Sequence, residues 1–334
     1  MKAAVCAAGV ITLRDWPEPV PGPGELLLRM RGCGLCGSDL SKISPAAAAP
    51  AVLGHEVVGE VIAVGTGVRR FSPGDRLVVA HHVPCFACHY CRRGSPSMCR
   101  HFKRINLDPG GFAERLRVPA PNVAHAAFRL PAGLDDESAS FTEPLACCLR
   151  AVKRSGVAPG DTALVVGLGS IGCLLVQLLA LAGATAFGDD VLPARRALGR
   201  SLGARVADEP AALDAMLAEA TDGRGVDCVV ITAGGAAVLP AAAARVRDGG
   251  ALHYFAGGAG EALPLPLATL YHRELTVSST YSSSPAELAR AFDLLVEGRV
   301  RVDGLISHRL PLGRLAEGVE LMRRHEAVKV YVTP

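Results

Sequence analysis

The run TALVVGLGSIGCLLVQLLALAG occupies residues 162–183. Thr162–Val166 reads as a buried strand, and the residues from Ser170 to Ala182 read as a helix. Between them Gly167, Leu168, Gly169, Ser170, Ile171 and Gly172 form a GxGxxG turn. Each glycine has a physical reason. Gly167 permits the tight turn, Gly169 lets a pyrophosphate approach the backbone, and Gly172 lets helix and strand pack closely. The helix N-terminus then points its free N–H groups and positive dipole end at the phosphates. Asp190 follows at the end of the next strand, where an acid can accept hydrogen bonds from ribose hydroxyls. A carboxylate there repels a 2′-phosphate, so NAD is expected before NADP. Arg195 and Arg196 act in the other direction, since either can reach a phosphate. Asp189 stands out as a second acid at a strand end where an apolar residue is expected.

The alternation continues outward from this turn. Ala184–Phe187 begins a strand and Pro193–Leu202 is a helix, with Pro193 in the first turn where proline is tolerated. Ala211–Ala220 reads as helix, Val226–Thr232 as strand, Ala236–Val246 as helix and Ala251–Phe255 as strand. Thr276–Thr280 is the expected last strand. Such β and α alternation means a parallel sheet with helices on both faces, an α/β class domain. Thr162 to Gly188 has no formal charge and is long enough to span a bilayer, but five glycines and Gln177 interrupt it. The strand, turn and helix reading replaces a membrane span.

Upstream the texture differs. Residues 1–145 are mostly β, with runs such as Glu25–Met30, Val57–Val64 and Arg76–Ala80 between turns at Pro21-Gly22-Pro23-Gly24, Gly65-Thr66-Gly67 and Pro73-Gly74-Asp75. Residues 46–50 are a low-complexity loop. Downstream, Pro285–Glu297 is an amphipathic helix, and Ile306–Leu310 and Val328–Val332 are strand-like. A chain of 334 residues suits about two domains. Its net charge of +3, with basic residues spread along it, argues against nucleic acid and membrane surfaces as partners. MKAAVCAAGVITL at the start reads as strand, turn at Ala8-Gly9 and strand rather than as a signal peptide. The cysteine usage points to the cytoplasm.

Cys85, Cys88, Cys91 and Cys99 fall in CFACHYCRRGSPSMC. Zinc takes four thiolates in a tetrahedron, and closely spaced cysteines on a tight loop supply them. This is a structural metal set. A second set combines Cys36, His55, Glu56 and Glu143. Glycines beside Cys36 and His55 let the backbone turn so that both point at one ion, as a catalytic zinc needs. For Cys36 or His55 alone, a buried thiol or a satisfied core histidine is the simpler reading; the combination with the cysteine lobe and the nucleotide loop favours a catalytic metal. Asp39 either supports this loop or pairs with a nearby cation. His81 and His82, just ahead of the lobe, are either groups that support the metal or face substrate, or more simply caps of a strand end, and like His101 and His125 they carry no assignment. Cys6, Cys33, Cys147, Cys148, Cys173 and Cys228 read as buried free thiols.

Together, GLCGSD at 34–39, GHEVVGEV at 54–61, the lobe at 85–99, EPLACCLRA at 143–151 and GLGSIG at 167–172 resemble the zinc-dependent medium-chain dehydrogenase family. Glu56, Glu143-Pro144-Leu145 and Ser38 resemble its sorbitol (polyol) and threonine dehydrogenase branch. The resemblance implies a GroES-like β-barrel catalytic domain at 1–145 and 280–334, with a structural-zinc lobe at 81–101, and a Rossmann dinucleotide-binding domain at 146–279. It also implies a cleft between domains and a homo-oligomer, a tetramer before a dimer. Cys36, His55 and one or both of Glu56 and Glu143 would hold the catalytic zinc, and Ser38 would begin a proton relay. Two zinc ions per chain and NAD are the implied cofactors. Relatives often carry histidine two residues after the Ser-Asp pair, where this chain has Ser41, and the loop from Ser41 to Ala51 is alanine-rich. Both departures fall where substrate is expected.

The expected activity is hydride transfer between a secondary alcohol or polyol CH–OH group and NAD. Threonine, an aminocyclitol or a simple alcohol are alternative substrates. Cys36, His55, Glu143 and Asp190 argue against a zinc-free NADPH quinone or enone reductase, and the metal set with Ser38 argues against a non-catalytic dinucleotide sensor.

Overall fold

The computed structural model describes residues 1–47, 49–257 and 261–334. Ala48, inside the alanine-rich loop, lies outside the described residues. The chain divides into two compact units: Met1–Ala146 with Ser283–Pro334, and Cys147–Ser282.

The first unit opens with β1 (Lys2–Ala7) and β2 (Val10–Asp15), paired antiparallel. Ala8 and Gly9 between them both have positive φ, as a two-residue hairpin turn demands. The elements that follow are β3 (Leu26–Leu35), α1 (Gly37–Lys42), β4 (Ala51–Val52), β5 (Glu56–Val64) and β6 (Arg76–Val79). Then come α2 (His89–Arg92), β7 (Arg115–Val118), α3 (Ala120–His125), β8 (Ala127–Arg129) and α4 (Asp136–Ser140), before α5 (Thr142–Ser155) carries the chain out of the unit. β3 runs five residues past the Met30 end that the sequence suggests. In the extension, Arg31-Gly32-Cys33-Gly34-Leu35, glycines alternate with buried Cys33 and Leu35, and Cys33 and Gly34 are paired on both sides.

The second unit is the α/β part. It contains β9 (Thr162–Val166), α6 (Ser170–Leu181), β10 (Thr185–Asp189), α7 (Pro193–Ser201), β11 (Arg205–Val206), α8 (Leu213–Ala220), β12 (Val226–Ile231), α9 (Leu239–Arg245), β13 (Val246–Tyr254), α10 (Leu267–His272) and β14 (Thr276–Ser279). The strands are parallel in the order β11-β10-β9-β12-β13-β14. This is the doubly wound order in which ligands bind beyond the strand C-termini, where β9 meets its two neighbours. β13 begins at Val246 rather than near Ala251. Val246 pairs with Val226, and a register shift then absorbs Asp248-Gly249-Gly250, residues of turn-forming type. Residues 162–188 divide into β9, α6 and β10, and among the described residues no helix is long and apolar enough to cross a membrane.

The chain returns to the first unit through α11 (Pro285–Val296), β15 (His308–Pro311), α12 (Leu315–Arg323) and β16 (Val330–Thr333). Ser284 and Glu287 form a capping box that starts α11. The large sheet then runs β15-β16-β3-β5-β6-β8, with β7 paired to β3. Its core includes Leu26, Leu28, Met30, Val57, Val61, Leu77, Leu116 and Val330. At the C-terminal end of β3 the register places Gly34 opposite Glu56, and Leu35 opposite Val330. Three strand ends therefore bring Cys36, the His55-Glu56 pair and Lys329 together.

Candidate functional site

Cys36 leaves β3 as the N-cap of α1, in extended backbone. Asp39, three residues on, accepts the Cys36 backbone N–H through Oδ2 at 3.2 Å. Its Oδ1 accepts the Gly54 N–H at 3.3 Å and lies 3.3 Å from His55 Nδ1. One fully buried carboxylate thus fixes both the cysteine and the histidine. Gly54 has a φ of +90°, and a side chain there would meet the Phe112 backbone N at 2.9 Å, so the turn that delivers His55 requires glycine. Burial works against charge on both members of the His55–Asp39 pair. Their mutual attraction outweighs it, raising the pKa of His55 and lowering that of Asp39.

One donor atom each from Cys36, His55 and Glu56 lies within 4.8 Å of the other two. Ser38 Oγ is 3.4 Å from both Cys36 Sγ and His55 Nε2, on the exposed side. The Glu56 carboxylate is buried, and its Oε1 accepts no hydrogen bond among the described residues. Its counter-charge is the buried Lys329 ammonium, with which it forms an ion pair. Burial alone would lower the pKa of Lys329, but the Glu56 carboxylate leads the opposing influences, helped by Cys36 and Glu143, and the pKa is raised. A soft sulfur, an imidazole and a carboxylate with one oxygen free of hydrogen bonds form a donor set that suits zinc.

Glu143 is buried in the first turn of α5, outside that trio. Its charge acts on Lys329, which ties it to the same neighbourhood. Ser41 uses its hydroxyl on the Ser38 carbonyl at 2.8 Å, within α1.

The four cysteines of the lobe also converge, with one sulfur each inside a 4.8 Å cluster. Cys88 N-caps α2, which contains Cys91, and their sulfurs are 3.5 Å apart. Tetrahedral zinc with bonds of about 2.3 Å requires sulfur separations of about 3.8 Å, so the set is close to the required geometry. Burial would raise the Cys99 thiol, but backbone N–H groups led by that of Cys85 pull it down to about 6. Cys91 is instead pushed up to about 12 by burial and the neighbouring sulfurs. Four thiols this close do not all ionise unless a cation shares their charge.

In the second unit Gly167 has a φ of +94°, and a side chain on Gly172 would collide with the Gly167 carbonyl. A side chain on Gly169 would meet only Arg195 Nη1, at 4.0 Å. The loop therefore leaves its backbone open to a phosphate, as a dinucleotide site needs. Asp190 is buried, and its two oxygens accept the N–H groups of Leu168 at 2.8 Å and Leu192 at 2.9 Å. It fixes the glycine loop, with Arg195 4.0 Å away. Ser170 and Ile171 open α6. Asp189 faces Arg245 at 3.6 Å, which accounts for an acid at that strand end.

Three further residues lie near the metal trio; the sequence offered alternatives for Asp39 and His81 and no reading for Lys329. Asp39 had a signal in its C-x-x-D spacing, which is that of a capping box. Lys329 had a weaker one, a lone cation in the apolar run AVKVYV. His81 had only its place just ahead of the lobe. It stacks between His55 and His82, with ring centroids 4.6 and 3.7 Å away, and Phe102 continues the column 4.8 Å beyond His82.

Residues 22–128 match the family description "Alcohol dehydrogenase GroES-like domain", and residues 170–297 match "Zinc-binding dehydrogenase". The sorbitol dehydrogenase of Halalkalibacterium halodurans is 29% identical, covering 100% of this chain and 99% of its own. The L-galactonate-5-dehydrogenase of Escherichia coli is 30% identical, covering 94% and 93%. Among solved structures, a putative zinc-binding dehydrogenase from Sinorhizobium meliloti bound to NADP superposes with a TM-score of 0.88 at 33% identity, over 100% of this chain and 99% of that one. Shared domains, full-length relatives and a superposable structure place this chain in the zinc-dependent medium-chain dehydrogenase family.

Proposed function

We propose that this protein oxidises a secondary alcohol carbon of a polyol to a ketone, with NAD as hydride acceptor. The observation that carries this reading is the convergence of Cys36, His55 and Glu56, with the Ser38 hydroxyl 3.4 Å from two of them. Cys36, His55 and Glu56 are the proposed zinc donors, and Glu143 is the remaining carboxylate of the set. Bound there, zinc supplies a Lewis acid that makes an alcohol proton easier to lose. Asp39 holds the Cys36 backbone and the His55 ring in place, so the donors need no reorganisation. Ser38 Oγ is placed to take the hydroxyl proton and pass it to solvent from its exposed position. The dinucleotide brings the hydride chemistry, and the protein provides its binding loop.

Gly167, Leu168, Gly169, Ser170, Ile171 and Gly172 cradle the pyrophosphate in this reading, with Arg195 alongside. Asp190 favours NAD, because its carboxylate stands where a 2′-phosphate would need positive charge; the NADP of the S. meliloti structure makes NADP the comparison arm. The four cysteines hold the second zinc. The polyol class is supported by the names of the full-length relatives, sorbitol and L-galactonate-5-dehydrogenases. Reducing cytoplasm suits a chain of eleven cysteines, six of them buried with no metal role proposed. A homo-oligomer, tetramer before dimer, belongs to the same proposal by family resemblance.

The test is NADH appearance with polyols, amino alcohols and simple secondary alcohols, with NAD and NADP in parallel, before and after chelation. Chelator-sensitive, NAD-linked oxidation led by polyols is expected. Preference for an amino alcohol or a simple alcohol would replace the substrate class. A two-zinc protein that turns over none of the panel would overturn the reading.

A further inference from the structure

Ser38 and Lys42 lie four residues apart in α1, so they share one face of that helix. The face is open: both residues are exposed, whereas Asp39 and Ile43 are buried on the other side. The Ile43 carbonyl also accepts Arg323 Nη2 at 3.2 Å, which pins the end of the helix. Ser38 shows where the open face leads, since its Oγ is 3.4 Å from both Cys36 Sγ and His55 Nε2. Helical side chains lean towards the N-terminus, so the Lys42 stem runs back over the turn that carries Ser38. Residues so spaced have Cβ atoms about 5–6 Å apart, a gap that a lysine stem spans.

The Lys42 charge reaches the same neighbourhood. Burial leads in lowering the pKa of His81 and His82, and the charges of His55 and Lys42 both add to it. No acid of the site is left to neutralise this cation. Asp39 is committed to Cys36, Gly54 and His55, and Glu56 is paired with Lys329. Among the described residues the Lys42 ammonium makes no ion pair. Between Asp39 and Glu56 the chain carries no other formal charge, and alanine and proline fill much of it. A lysine in a last helical turn also complements the helix dipole, and that plainer role makes no demand on substrate.

We propose that Lys42 is a specificity-determining residue that receives an anionic group of the substrate, so that the preferred polyol carries a carboxylate or a phosphate. This rests on the dehydrogenase reading and deepens it from polyols at large to acidic ones. An ammonium meets either oxyanion as a point charge. The pair forms on binding and persists through hydride transfer, so its loss raises KM more than it lowers kcat.

The test measures kcat/KM in the gluco and galacto series for the neutral hexitol, the hexonate and the hexitol monophosphate. Zinc-loaded wild type, Lys42→Gln and Lys42→Arg are compared. Wild type should favour one of the anions over its hexitol by about tenfold or more, and the favoured anion identifies carboxylate or phosphate as the recognised group. Lys42→Gln should lose that preference, mainly through KM, and Lys42→Arg should keep part of it. Added salt should raise the KM of the anion in wild type but not in Lys42→Gln. NADH affinity, read by fluorescence, should match wild type in both variants. Equal losses on charged and neutral substrates would show the helix-dipole role and overturn the inference. An unchanged preference in Lys42→Gln would also overturn it, as would a fall in NADH affinity in place of a lost preference, which would assign the charge to the dinucleotide. A wild type that favours the hexitols removes only the Lys42 inference, whereas a two-zinc protein that oxidises none of the compounds removes the polyol reading with it.

Discussion

Asp39 engages three groups with two oxygens: the Cys36 N–H, the Gly54 N–H and His55 Nδ1. A neutral amide of the same shape keeps one acceptor and loses the charge that orients the imidazole. Asp39→Asn should therefore fold normally but bind the catalytic zinc about 10–100-fold more weakly, as measured by chelator competition. Unchanged zinc affinity would mean that the β3 and β5 ends alone position the donors. Lys329 makes a different kind of contribution. Removing one partner of a buried ion pair strands the other, at a cost of about 3–5 kcal/mol. Lys329→Met in the zinc-free protein should lose stability on that scale by denaturant titration, and adding Glu56→Gln should restore most of it. A single variant as stable as wild type would show that Glu56 finds another counter-charge. The two residues differed in legibility for a physical reason. Asp39 acts within its own turn, so its spacing from Cys36 can be read along the chain. Lys329 meets Glu56 only because β16 pairs with the end of β3, 273 positions later in sequence than Glu56.

At the scale of elements, His253 joins β13 to β14. Its ring contacts Ser278 Oγ at 2.8 Å and Thr280 Oγ1 at 3.0 Å, and its side chain is fully buried. Burial, reinforced by the charge of Arg154, holds it down to about 4 from an ordinary 6.5. Below 6.5 the unfolded chain takes a proton that the folded chain refuses until about pH 4, so acid favours unfolding. The stabilisation is complete above about pH 6.5 and is lost as pH falls towards 4. At pH 5 the loss amounts to about 2 kcal/mol, and His253→Asn should remove that part of the slope between pH 7.5 and 5 in denaturant titrations. Parallel slopes for the two proteins would assign the acid sensitivity elsewhere. The doubly wound half was legible almost element by element, because local period and glycine punctuation determine it. β11 and α10 were not read at all, and β13 was read too short. Asp248-Gly249-Gly250 has the composition of a turn, yet pairing with β12 keeps it in the sheet through a register shift. The first unit gave up its strand runs but not their order, since β15-β16-β3-β5 unites segments from both ends of the chain. The metal cysteines could be read because zinc geometry demands close spacing. The packing of the His81 ring between His55 and His82 could not, because His55 reaches it from a separate turn.

For the whole molecule, the division of chemistry between the units has a direct consequence. Both metal sets belong to Met1–Ala146 with Ser283–Pro334, and the glycine loop with Asp190 belongs to Cys147–Ser282. Each unit has a separate core, one around Leu28, Val57 and Val330, the other around Leu164, Val229 and Leu252. The cysteine lobe has little core of its own, with no buried residue in α2, so its folding free energy depends on the metal. The glycine loop depends instead on β9, α6 and the Asp190 carboxylate. Stripping both metals should therefore abolish turnover while leaving NADH affinity within about threefold, a difference of under about 0.7 kcal/mol. NADH fluorescence titration of the chelated protein measures this directly, and returning zinc should restore turnover. If NADH binding disappeared with the metal, the dinucleotide site would depend on the metal-held unit. The second unit would then not be the self-sufficient binding element that its closed hydrogen bonding and separate core describe.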